Sequence, residues 1–139
     1  MTKPTLFTCT IKSDIFPSTL NIGIGDMELF KKYIKKHASK LYNENGLSEI
    51  EERLDDFDGS ELGWFMPTYI YSKHPDINTL VHELLHFTIF EFKRLGLVIS
   101  DENDEAFCYY VGSFLERIVA KMTKKFGAES LVPNKKEIK

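Results

Sequence analysis

The sequence predicts an α+β fold in which a small mixed or antiparallel β-sheet packs against three main helices. Three observations lead there. Two short runs near the N-terminus, within Leu6 to Phe16 and Leu20 to Gly25, alternate apolar residues with others, as strands do. Three longer stretches, at about 27–43, 77–95 and 102–126, repeat apolar residues every three or four positions, as amphipathic helices do. A further strand-like run, Gly63 to Tyr71, lies between the first and second of these.

Taken in order, Leu6-Phe7-Thr8-Cys9-Thr10-Ile11 is apolar and β-branched, and Pro17-Ser18 ends the run. In the second run Leu20, Ile22 and Ile24 share one face, while Gly23 and Gly25 weaken it as a strand. Neither G-K-[ST] nor G-x-G-x-x-G follows, so these glycines do not form a phosphate loop. Asp26 is a fitting N-cap for a helix whose stripe is Met27, Phe30, Ile34, Ala38 and Leu41, with lysines on the wet side and Asn45-Gly46 as the stop. Leu47 to Glu61 is acidic, with seven Asp or Glu against one Arg. It reads as a short helix at 49–54 and a turn at 56–59. Asp56, Asp58 and Gly59 do not fill the remaining positions of a calcium loop.

Pro67 cannot donate a ladder hydrogen bond, so Gly63 to Tyr71 reads as an edge strand. An exposed edge can accept an extended peptide by strand addition. Asp76 or Asn78 caps the next helix, and Gly96 ends it after Lys93-Arg94. Ser100 or Asp101 caps the last helix, whose stripe is Phe107, Val111, Phe114, Leu115, Ile118, Val119 and Met122. Gly112 is read as allowing that helix to pack closely on the one before it. Residues 1–127 then form one domain, and 128–139 a basic tail.

The chemistry concentrates in Val81-His82-Glu83-Leu84-Leu85-His86, an H-E-x-x-H motif inside an apolar helix. Histidines four apart stack on one helix face and can share one Zn²⁺, with nitrogens about 2.0–2.1 Å from the metal. Glu83 lies about 100° round the helix from His82, within reach of a metal-bound water as general base. A catalytic zinc takes three protein ligands. Glu105, 19 residues past His86 at the start of the next helix, is the expected third, with Glu102 as its rival. Leu80, Val81, Leu84, Leu85, Thr88, Ile89 and Phe92 imply that the helix is buried round most of its circumference. His74, Tyr69, Tyr71 and Tyr109 are the candidate oxyanion donors. Asp101, Asn103 and Asp104 are candidates to orient the imidazoles. Cys108 reads as a small buried hydrophobe or as a group lining the site, and His37 as structural or exposed.

H-E-L-L-H followed by the glutamate of Asn103-Asp104-Glu105-Ala106 resembles the glutamate-ligand zincins, the thermolysin-like metallopeptidase clan, and most closely the small single-domain zincin-like proteins of phages and bacteria. The resemblance covers about Gly63 to Phe114. It implies a zincin-like fold, with His82, His86 and Glu105 as zinc ligands and Glu83 as the base of a zinc metallopeptidase. The alternative is a zinc-stabilised protein-binding domain of phage or prophage type, without proteolysis.

With 42% hydrophobic residues, 11 Phe and 6 Tyr, a chain of 139 residues can bury a core. A net charge of -3 does not suggest nucleic-acid binding. No apolar run reaches the roughly 18 residues a membrane helix needs, and no signal-peptide h-region is present, which points to a cytoplasmic protein with reduced Cys9 and Cys108. The expected partner is a polypeptide substrate or protein, bound along edge strand 63–71.

Overall fold

A computed structural model describes residues 3–40, 44–55, 63–66 and 68–132. The elements are β1 (Leu6–Lys12), β2 (Thr19–Gly25), α1 (Met27–Ala38), α2 (Glu44–Asp55), β3 (Gly63–Met66), β4 (Tyr69–Ser72), α3 (Ile77–Arg94), α4 (Asp104–Phe126) and a short 3-10 turn at Ala128–Leu131. This is an α+β fold. Its four-stranded mixed sheet has the order β1-β2-β4-β3, antiparallel at both ends and parallel between β2 and β4. Among the described residues four helices cover it: the three main ones expected, and α2, which is longer than the short helix read at 49–54.

The alternating strand pattern divides the core into two layers. Ile11, Leu20, Ile22, Ile24 and Ile70 meet Leu80, Leu84, Phe87, Phe92, Tyr110, Phe114, Ile118 and Met122 from α3 and α4. On the other face Tyr69 and Tyr71 meet Phe30 and Ile34 of α1 and Leu54 of α2. Each fully buried large side chain contributes roughly 1.5–3 kcal/mol. Gly23 makes the second layer possible: a Cβ there would lie 2.2 Å from Phe30 Cδ1, so the ring rests on bare backbone.

Helix α4 starts at Asp104 with Asn103 at its N-cap, rather than Ser100 or Asp101, and three larger differences from the predicted boundaries stand beside this. The first helix ends at Ala38, where the Ser39 N–H bonds to Lys35 and its hydroxyl donates to the Lys36 carbonyl at 2.8 Å. Asn45 and Gly46 therefore do not stop α1; they lie in the first turn of α2. The expected strand 63–71 is a hairpin of two strands, with Thr68 at φ 71° before β4. Of these two strands β3 lies at a sheet edge, and β4 is interior. Third, the expected tail contributes to the core: Leu131 is buried among α3 and α4 residues. Leu41, Asp56, Asp58, Gly59, Pro67 and 133–139 lie outside the described residues.

Candidate functional site

Helix α3 carries the site. Asp76 caps it, accepting from the Asn78 N–H at 3.2 Å and the Thr79 hydroxyl at 2.9 Å. Its inner face buries Leu80, Glu83, Leu84, Phe87, Thr88, Glu91 and Phe92. The opposite stripe, His82, Leu85, His86 and Ile89, is exposed. The expectation of burial round most of the circumference is corrected, because α4 and the sheet both pack on one side of α3.

The helical spacing places the histidines as predicted. His82 and His86 face each other with Nε2 atoms 3.3 Å apart. The Glu83 carboxylate turns inward and is 6% exposed, with His82 Nε2 3.8 Å from its Oε1. No hydrogen bond to Glu83 is formed among the described residues. Burial pushes its carboxyl above the usual glutamate range, partly offset by the His82 ring. Glu83 reaches the solvent through a groove of about 280 Å³ between α3 and β3, lined also by Gly63, Asn78, Thr79 and His82. Gly63 leaves the room for this. A Cβ there would lie 2.6 Å from Thr79 Cγ2 and 3.1 Å from Glu83 Oε1.

Glu105 is exposed on α4 and lines a different cavity, of about 550 Å³, with Asp14, Cys108, Tyr109 and Arg117. Glu102 is exposed in the turn before α4. Among the described residues no group of three or more His, Cys, Asp or Glu is placed to hold a metal ion. The zinc centre expected from His82, His86 and Glu105 is therefore corrected. The zincin-like assignment, the metallopeptidase activity with Glu83 as base of a zinc-bound water, and the zinc-stabilised alternative of phage or prophage type are corrected on the same finding. Two donors on one helix turn meet the local spacing rule, but the third had to come from another element.

The other expected participants are engaged elsewhere. The Tyr69 hydroxyl meets His37 Nδ1, and Tyr71 donates to the Gly25 carbonyl at 2.5 Å, both residues belonging to the layer beneath α1. Tyr109 is 68% exposed beside Glu105. His74 is exposed in the turn before α3. Asn103 accepts from the Ser100 N–H at 2.7 Å and donates to the Val98 carbonyl, so it ties the α3–α4 connection rather than orienting an imidazole. Asp101 and Asp104 are exposed. Cys108 is exposed and free rather than a buried hydrophobe, and Cys9 is free and half-buried. No helix among the described residues is long and apolar enough to cross a membrane.

A second buried carboxylate escaped the sequence reading. Glu91, 1% exposed, accepts from Arg94 Nε at 2.7 Å and from the Ser18 hydroxyl at 3.1 Å. The Glu91-x-x-Arg94 spacing was a legible signal, since residues three apart on a helix can pair. Ser18 was not, since it comes from a loop 73 residues away. Comparison with known proteins finds no matching family model, no matching curated protein and no matching solved structure.

Proposed function

We propose that this protein binds an extended polypeptide, which adds as a strand to the outer edge of β3 and lays side chains into the adjoining α3 groove. The observation that carries this reading is the position of β3. It is the terminal strand of the sheet, its outer edge has no strand partner among the described residues, and it runs beside a groove with a buried carboxyl. Four residues span about 13 Å, room for a short main-chain ladder. Glu83 is the principal ligand group in this proposal, and His82 and His86 form the polar lip that the polypeptide crosses. Glu105 belongs to the separate α4 cavity and takes no part.

The opposite edge is a poorer acceptor. Beside β1, Lys121, Lys124 and Lys125 gather round Phe7, and lysines at a sheet edge disfavour strand pairing. The test is a peptide array of random octamers, followed by amide hydrogen exchange on the protein with the best binder. Protection should appear at residues 63–66, and N-methylation of alternate peptide amides should abolish binding. Binding with no protection of β3, or undiminished binding of the N-methylated peptide, would overturn strand addition.

A further inference from the structure

We infer that the groove between β3 and α3 is a pocket for one lysine or arginine side chain, which places its ammonium or guanidinium on the Glu83 carboxylate. The inference rests on the polypeptide-binding reading and names the residue class that reading would select.

A buried carboxylate needs hydrogen bonds or an opposite charge to offset its lost hydration. Glu91, two turns along the same helix, has both. Glu83 has neither a hydrogen bond among the described residues nor a fixed cation, only the His82 ring at 3.8 Å. It is more than nine-tenths buried and lines the groove.

The surroundings favour a cation over other occupants. Thr79 spends its hydroxyl proton on Asp76, so it has none left to donate to the Glu83 carboxylate. Asn78 also lines the groove. The space, about 280 Å³, falls just below the roughly 300–1,000 Å³ of pockets for drug-sized ligands and suits a single long side chain. Gly63 keeps the floor open.

The experiment is an NMR titration of the full chain with acetyl-arginine N-methylamide and acetyl-lysine N-methylamide. The neutral analogues of norleucine and citrulline serve as controls. The expected result is saturable shifts at the Gly63, Asn78 and Thr79 amides with both cations, at least about tenfold tighter than with the neutral analogues. Glu83→Gln should remove that preference while the rest of the spectrum stays in place. Gly63→Ala, which narrows the groove from the opposite wall, should weaken cation binding with Glu83 intact. Equal affinity for norleucine, no saturable shift with either cation, or undiminished binding to Glu83→Gln would each overturn the inference. Strand addition fails separately. These probes are too short to form a ladder, so a cation preference alongside indifference to peptide N-methylation keeps the pocket and removes the strand.

Discussion

Glu83 and Glu91 lie on the same inner face of one helix, eight residues apart, and both are buried. Their surroundings differ. Glu91 is locked between Arg94 and Ser18 and ties the C-terminal half of α3 to the β1–β2 loop, with Arg94 reaching the Pro17 carbonyl as well. Glu83 sits at the N-terminal half without a hydrogen bond among the described residues, beside a glycine and a groove. Burial of a charge is thus not what distinguishes a binding group from a structural one. The distinguishing feature is whether the protein itself satisfies the charge, and that depends on the elements packed opposite.

The sharpest way to break this contrast is to remove the partner of Glu91. Arg94→Met keeps the aliphatic stem and leaves the carboxylate with Ser18 alone. Loss of one member of a buried pair costs about 3–5 kcal/mol, and the half-exposed Arg94 side chain brings the expected loss towards the lower end. Urea unfolding should show a midpoint shift of that size, with β3 binding unchanged in the protein that remains folded. A loss under about 1 kcal/mol would mean that Glu91 is no better satisfied than Glu83.

Gly63→Ala should come next in size. The added Cβ would meet Thr79 Cγ2 at 2.6 Å and the Glu83 side chain at 3.1 Å, so these side chains, or α3 or β3 themselves, must shift. Overpacking of this kind costs about 1–3 kcal/mol. The same methyl intrudes on the groove, so peptide binding should fall along with stability. Thermal unfolding and the peptide assay, run on one preparation, would check both.

These two positions also mark how far the sequence could be read. The stripes of α1 and α4 follow from periodicity, because the 3.6-residue repeat is local, whereas the apolar residues of α3 did not reveal that one side of it is exposed. The His82–His86 pairing follows from the same rule and was legible in full. Glu105 was assigned by its distance along the chain, and the turn at 95–103 carries no pattern that sets where α4 begins to pack; the structure places it beside Asp14 and Arg117 instead. The hairpin inside 63–71 was missed because both halves are aromatic-rich and β-prone, with no Gly-containing turn pair to divide them. Ser39 ended α1 without glycine by bonding its own side chain to the last turn, while Asn45-Gly46, the stronger stop signal, was absorbed at the start of α2.

Glu83→Gln should have a smaller effect on stability, with a sign that changes the comparison from structural to functional. Burial holds the Glu83 carboxyl above its ordinary value of 4.5 in the folded chain. The folded state therefore binds this proton more tightly than the unfolded state. Stability from this group is fully present below the ordinary value and declines as pH rises through the raised one. Glutamine cannot ionise and escapes that decline. The variant should match the parent near pH 4 and exceed it at pH 7. Denaturation midpoints across that range would check it. A variant less stable than the parent at neutral pH would mean that Glu83, like Glu91, is satisfied from within.

The smallest expected effect separates a glycine that shapes a groove from one that shapes nothing. Gly112 was read as the close contact between α3 and α4, yet a Cβ there meets nothing within 4 Å, and the residue is exposed in mid-helix. Gly112→Ala should therefore stabilise the protein by roughly 0.5–1 kcal/mol, through the lower entropy of the unfolded chain and the higher helix propensity of alanine. It should leave the β3 groove untouched, since Gly112 lines the cavity of Glu105 and Gly63 lines that of Glu83. Paired with Gly63→Ala in the same unfolding and binding assays, one identical methyl would act with opposite sign on stability and only once on binding. If Gly112→Ala destabilised the chain, the α4 surface would be packed rather than open, and the separation of the two cavities would need to be redrawn.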